Sequence, residues 1–361
     1  MSASEVKPGA TASQSSYIPS LDGLRAVSIL IVFLSHAGYG HIVPGGFGVT
    51  IFFFLSGYLI TTLLTREWDR HGEIAQKAFY LRRVVRLAPP ILITLIVSLG
   101  LAGLGLARGS FDLMTVFSQI FFFFNYYALY ASEMATVEGL GILWSLAVEE
   151  HFYLIWPTIF ILLARGRLSV RTLLALLVAI LLWRMVRFFG FGAREWTIYI
   201  STDTRFDSLL YGCLLALLMW TGRARTLFPD GVWARSLYIL GALVVLLLCL
   251  VIRDDAFRST LRYSLQGLAL MPVFYYAVTR PEDLIFRPLN WGFMRKIGLW
   301  SYTIYLIHHV IIKALVYNGL GREGDIQILL LSAVLSAGFA AAVYRWAEKP
   351  LHPLRRKLTG H

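Results

Sequence analysis

Two stretches of the chain place ionisable side chains where an apolar helix would be expected to exclude them. The first reads Leu21-Asp22-Gly23-Leu24-Arg25-Ala26 and runs through apolar residues to Ser35-His36. Arg25 and His36 are eleven residues apart, nearly three whole helical turns, so both fall on one face. Asp22 sits one turn before Arg25, where it can pair with it. Histidine is suited to take a proton from a hydroxyl or to carry an acyl group in transit. The second stretch is Trp144-Ser145-Leu146-Ala147-Val148-Glu149-Glu150-His151. Its adjacent carboxylates point about 100° apart on a helix, so at least one of them is expected to face the protein interior.

Other candidates are more evenly balanced between chemistry and architecture. Arg205 and Asp207 open a further apolar segment, where a structural ion pair between helices and a catalytic role are both open readings. His308 and His309 stand mid-segment; one is expected to face the interior and the other to pack. Arg82, Arg83 and Arg86 precede the apolar run that begins at Leu87. Arg83 and Arg86 share a helix face and suit forked recognition of phosphates. Anchoring of a cytoplasmic loop accounts for them equally well. Glu348, near the end of the last apolar run, is expected to pair with a nearby arginine, and Pro350 to stop the helix. Cys213 and Cys249 lie inside apolar runs and read as buried thiols. The sequence holds no Walker loop, GxGxxG element, HExxH motif or paired CxxC, which argues against ATP hydrolysis, a dinucleotide or structural zinc. No metal site is expected from sequence spacing.

The elements that position these residues follow from composition. The chain has 361 residues, 57% hydrophobic and only 15% charged, with a formal charge of +12. Soluble domains carry about 25% charged residues, and disordered chains lack such apolar content. A membrane span needs about 20 mostly apolar residues. Segments near that length are 22–40, 47–65, 88–107, 112–131, 144–164, 172–189, 205–221, 236–252, 262–279, 300–319 and 326–346. Lysine and arginine in the connections discriminate between topologies. If 112–131 does not cross, 21 cations fall on the cytoplasmic side and six outside. If it does cross, every later loop flips and the bias disappears. The expected fold is therefore an all-α polytopic membrane protein of ten transmembrane helices, or eleven if 112–131 also crosses. Both termini are cytoplasmic in the ten-span arrangement, with 112–131 re-entrant or buried in protein. Residues 1–20 read as a flexible cytoplasmic tail rather than a signal peptide, 21–351 as one transmembrane domain, and 352–361 as a basic cytoplasmic tail. The excess charge is then a property of cytoplasmic loops, and nucleic acid is not an expected partner.

In this arrangement span one leaves the cytoplasm and span five enters from outside. His36 lies about 6 Å short of the outer end of its helix and Glu149 about 8 Å below the start of its own. The two are expected at similar depth, as a base and its carboxylate partner.

Taken in order, these segments resemble the acyltransferase-3 family of integral membrane acyltransferases, from about Tyr17 to Leu351. The marks are Leu21-Asp22-Gly23-Leu24-Arg25 with His36; Gly46-Phe47-Gly48-Val49-Thr50 through Ser56-Gly57-Tyr58; Arg83 with Arg86; Trp144-Ser145 through Glu149-Glu150; Arg205-Phe206-Asp207; Ser301-Tyr302 to His308; and Trp346 to Pro350. The resemblance implies transfer of an acyl group, most often acetyl, from acyl-CoA to a hydroxyl of a carbohydrate or other acceptor. Acyl-CoA would serve as co-substrate, with no tightly bound cofactor. It implies that His36 and Arg25 are central, that Arg83 and Arg86, beside Arg82, hold the donor, and that Glu149 belongs to the site. Asp22 joins the catalytic group as the partner of Arg25; Trp144, Ser145, Glu150, Arg205, Asp207 and His308 are expected to bind substrate or support the site. Two residues depart from the family pattern: Thr50 stands where many relatives have Asp, and His151 where Gln is common. Some relatives carry a C-terminal extracytoplasmic hydrolase-like domain. Its absence from this sequence implies either direct acylation in the membrane domain or a separate extracytoplasmic transferase as partner. A bacterial inner membrane is the implied location. The competing reading is a secondary transporter or exporter of a glycan or small anion, which would also bury Arg, Asp and His, but its internal repeats and paired broken helices are not evident. A membrane scaffold for glycan assembly is a third.

Overall fold

A computed structural model describes residues 18–131 and 133–358. Lys7 and the rest of the expected N-terminal tail up to Tyr17 lie outside the described residues. The described chain is all helical, with no strand. α1 (Pro19–Leu34) continues into a π-helical turn, Ser35–Tyr39, and α2 (Gly45–His71), α3 (Gln76–Gly103), α4 (Leu113–Ile120) and α5 (Phe124–Tyr130) follow. Next come α6 (Trp144–Ala164), α7 (Val170–Met185), α8 (Glu195–Ile200), α9 (Thr202–Trp220) and α10 (Ala224–Leu227). The chain closes with α11 (Val232–Val251), α12 (Asp255–Ser259), α13 (Leu261–Thr279), α14 (Gly292–Tyr317), α15 (Ile326–Val343) and α16 (His352–Lys357). α1 begins inside the expected tail: Ser20 is buried and donates to Asn290.

Eight of the described helices are long and apolar enough to cross a membrane. α9 and α13 are each 19 residues long but too polar to qualify on composition, because both are packed inside the bundle. Nearly every residue of α9 is buried, including Thr204, Arg205, Asp207 and Ser208. The 112–131 segment divides into helices of eight and seven residues separated at Phe121–Phe123, where Phe122 takes a positive φ of 58°. At 1.5 Å per residue, roughly, neither piece spans a bilayer core. The break is locally encoded: the Asp112 side chain caps α4 by accepting from the Thr115 amide at 2.8 Å. The Asn125 amide in α5 is drawn inward to the Ile200 carbonyl and Thr202 hydroxyl.

Small residues set the closest helix contacts. α2 meets α9 where Gly57 faces Leu209 and Gly212 faces Phe54; a Cβ at either glycine would lie about 2 Å from the opposing carbonyl oxygen. α1 meets α14 in the same manner, with a Cβ on Gly298 falling 1.9 Å from the Asp22 oxygen. Lipid tails are as apolar as leucine, so close backbone approach rather than hydrophobic burial holds such helices together. α1, α2, α9 and α14 thus form the centre, with α6 and α13 against them. α11 turns Leu237, Leu240, Leu247 and Val251 outward, as a lipid-facing helix should.

Candidate active site

At one end of the bundle three histidine rings come together. The His36 Nδ1 lies 2.9 Å from the His308 Nε2, and the His36 ring stacks on His309 at 4.3 Å between centroids. The sequence expectation gave only one of the α14 histidines an interior role, whereas both face His36. The proton positions follow from the partners. The His308 Nδ1 is 2.8 Å from the Tyr305 carbonyl and 3.1 Å from that of Ile304, and a carbonyl oxygen can only accept. Nδ1 therefore carries the proton, the neutral ring has its lone pair at Nε2, and His36 donates to it through Nδ1–H. His36 is left with a bare lone pair at Nε2. The π-helical turn that carries His36 contains Gly38 at φ 105°, and the Gly324 amide donates to the Ala37 carbonyl at 2.8 Å, latching the end of α1 to the α14–α15 loop.

Glu149 does not join this cluster. Its carboxylate accepts from the Ser56 hydroxyl and from the Tyr153 hydroxyl one turn along α6. The Ser145 and Tyr305 hydroxyls meet at 2.7 Å, which fixes the depth of α6 against α14. Glu149 lies one turn from Ser145 in one direction and His308 one turn from Tyr305 in the other. The expected equal depth of His36 and Glu149 is thereby corrected to a separation of about two turns, roughly 10 Å. A neutral histidine, not a carboxylate, holds the His36 tautomer.

Below the histidines, Arg25, Ser56, Arg83, Ser145, Glu149 and Tyr305 line a cavity of about 110 Å³. Asp22 pairs with Arg25 at 2.9 Å, as the one-turn spacing predicts. Arg83 is bound at 2.8 Å to Glu150 and lies 3.2 Å over the Tyr153 ring. A guanidinium so committed is a wall of the cavity rather than a free phosphate ligand. Arg82 is likewise held, by Glu67 at 3.0 Å and the Leu358 carbonyl at 2.8 Å. A second cavity of about 550 Å³ adjoins the first; Arg25, Arg83, Arg86 and Tyr302 line both. Arg66 and Arg70 add further positive charge to it, residues that loop counting assigned to topology alone. Glu348 accepts from Thr303 at 3.0 Å instead of pairing with an arginine. Among the described residues no group of histidine, cysteine or carboxylate side chains could hold a metal ion. Cys213 and Cys249 are buried and free, as expected.

The family model for the acyltransferase domain matches residues 18–345. The chain belongs to the acyltransferase-3 family. It is 31% identical over 356 residues to the peptidoglycan O-acetyltransferase OatA of Listeria monocytogenes, covering 93% of this chain and 56% of that protein. A Staphylococcus aureus (strain COL) protein named "Putative O-acetyltransferase" is 30% identical over 348 residues, covering 92% of this chain and 57% of its own. This chain thus spans just over half the length of these relatives. No solved structure matches it.

For Arg205 and Asp207 an ion pair between helices was one of the two open readings, and Asp207 makes one. Asp207 is bound at 2.7 Å by Arg184, both fully buried; Arg184 also reaches the Thr204 carbonyl and the Ser264 hydroxyl. Arg184 went unread in the sequence, although an arginine inside the 172–189 apolar segment, which holds Arg184 and Arg187, was the available signal. Arg205 is fully buried, 3.1 Å from the Thr50 hydroxyl and 3.9 Å from the Tyr263 ring centroid. Thr50 is the position where many family members carry Asp, so in this chain Arg205 meets a neutral hydroxyl. Tyr199 also faces Arg205, and burial pushes its phenol up to about 12. The second departure, His151, bonds Thr202 at 2.8 Å, and Trp144 packs against Phe53 and Tyr199.

Proposed function

We propose that this protein is a membrane O-acyltransferase that moves an acyl group, acetyl in the first instance, from acyl-CoA on the cytoplasmic side to a hydroxyl of a carbohydrate acceptor. The observation that carries the reading is the oriented pair His36–His308, with an unprotonated Nε2 on His36. Residues above assigned to the cytoplasmic loops supply the second support: Arg66, Arg70 and Arg86 surround a cavity large enough for phosphates. The smaller cavity leads from it between α2, α6 and α14 to Ser145 and Tyr305, one turn below His308. In this reading the nucleotide end of the donor stays among the arginines while its pantetheine arm follows the apolar path.

The chemistry then needs few groups. The acceptor hydroxyl gives its proton to His36 Nε2 as its oxygen attacks the thioester carbonyl. His308 stabilises the imidazolium through the Nδ1–H bond, which becomes charge-assisted. The carbon–sulfur bond breaks, the coenzyme A thiolate leaves, and His36 returns the proton to it. Arg25, fixed by Asp22, borders both cavities and is placed to meet negative charge on the donor. Ten crossings, with both termini cytoplasmic in a bacterial inner membrane, complete the reading; the short α4 and α5 and the loop cations support it.

The test is transfer of labelled acetyl from acetyl-CoA in membranes holding wild type or His36→Ala. Loss of general-base catalysis costs about 10²–10⁴-fold, and undiminished transfer at equal expression would refute the assignment.

A further inference from the structure

A third cavity, of about 470 Å³, opens at the same end of the bundle as His36. The loop that follows the His36 turn forms one side of it, from Gly40 to Pro44, with the start of α2; α8, the end of α11 and the residues after it, α12 and the start of α13 form the rest. Its walls combine two chemistries. Trp196, Tyr199 and Tyr263 offer aromatic faces, and Trp196 is 54% exposed. Arg253, Arg258 and Arg262 also line it, with Glu195 as the one carboxylate among its lining residues. Arg258 and Arg262 both point at the same Glu195 oxygen, at 2.8 and 3.3 Å, so one negative charge is divided between two guanidinium groups. Arg253 has no ion-pair partner among the described residues. Of the acids that follow it in sequence, Asp254 is spent capping α12 at the Phe257 amide, and Asp255 is not part of the cavity wall.

Two buried groups behind this wall are also unmatched. Gln266 is only 3% exposed and lines the cavity, and none of the described residues bonds its side-chain amide, which is left open to the cavity. A buried amide left in that state is costly unless a ligand completes it. Arg205, with Thr50 in place of an acid, stands directly behind Tyr199 and Tyr263, and its Nε has no partner. The neighbouring Asp207 is already neutralised by Arg184. Positive charge therefore exceeds negative on the wall and behind it, in a concave site that concentrates the field.

We propose that this cavity docks an anionic sugar unit of the acceptor, with the ring against Trp196, the oxyanion held by Arg253 and Arg258, and a hydroxyl on Gln266. The proposal rests on the acyltransferase reading for its purpose, since it would hold a glycan next to the turn that carries His36, but binding can be measured without transfer. The experiment is titration calorimetry on the full chain in phosphatidylcholine nanodiscs. The probes are a hexasaccharide of alternating glucuronic acid and N-acetylglucosamine, and the same hexasaccharide with its carboxyls reduced to alcohols. The acidic probe is expected to bind at least tenfold more tightly than the neutral one. Arg253→Gln and Trp196→Ala, both at exposed positions, should each weaken it about tenfold or more. Glu195→Gln should tighten it, which a purely structural role for Glu195 would not do. His36→Ala should leave binding unchanged, so a failure of the catalytic reading is separable from a failure of this one. Equal binding of the two probes, no binding, or indifference to Arg253→Gln would overturn the proposal. So would loss of sugar binding when anionic phosphatidylglycerol is added, because the cavity would then be a lipid headgroup site.

Discussion

At the scale of single residues, the proposed chemistry turns on which ring nitrogen of His36 is free. That depends on His308, whose own proton is fixed by backbone carbonyls one turn back along α14. A side chain that accepts from His36 Nδ1–H should therefore preserve part of the activity, and one that cannot should not. His308→Gln is expected to retain more turnover than His308→Leu. The leucine variant should lose about a hundredfold or more in kcat with KM for acetyl-CoA little changed, because the defect lies in proton transfer. Steady-state kinetics in proteoliposomes would check this; equal activity of the two variants would mean that His308 only packs. The residues of this scale were partly legible in the sequence. His36, Arg25 with Asp22, and the two acidic residues of α6 stand out because charge inside an apolar run is expensive. Their partners were not legible. Ser56 and Tyr153, which hold Glu149, are unremarkable residues in apolar helices, and only packing brings them together.

At the scale of elements, the site depends on glycines that let helices approach within backbone contact. Gly298 fixes α14 against Asp22, and so sets where Arg25 stands relative to the cavities. Gly298→Ala is expected to destabilise the protein by about 1–3 kcal/mol through overpacking against a carbonyl that cannot yield. Transfer should fall along with thermal stability, read by fluorescence-detected unfolding in detergent. Gly100 in α3 has open space where a Cβ would go. Gly100→Ala should be neutral or stabilising, by up to about 1 kcal/mol, as expected from helix propensity alone. Matching losses from both substitutions would show that the first effect is not one of packing. Apolar periodicity predicted most of these helices, including the long ones, but the split of 112–131 into α4 and α5 was beyond it. The run is apolar enough to cross; the Asp112 cap and the inward pull on Asn125 go with its break into two short helices.

At the scale of the whole molecule, the parity of the crossings before α6 determines which face each cavity opens on; the proposed ten-span arrangement puts three there, α1, α2 and α3. In the proposed ten-span arrangement the arginine-lined cavity would face the cytoplasm and the aromatic one outside. Cys213 and Cys249 are buried, so single cysteines can report topology in the native background. A membrane-impermeant maleimide on intact cells should label Arg253→Cys and leave Arg287→Cys unlabelled until the cells are opened. The reverse pattern would require an eleventh crossing and would place the two cavities on the opposite sides.

The sequence alone determined that the chain is a polytopic helical membrane protein of the acyltransferase-3 kind, and singled out His36, Arg25 and the α6 acids as candidates. Those conclusions rest on composition, on helical spacing and on ordered motifs, which are local properties of a chain. The tertiary structure decided who meets whom. It moved Glu149 away from His36, set His308 against the His36 Nδ1, supplied Arg184 as the interhelical partner of Asp207, and gathered the loop arginines around one cavity. Depth and facing between helices depend on where backbones touch, and a one-turn offset between two helices leaves no trace in the sequence of either.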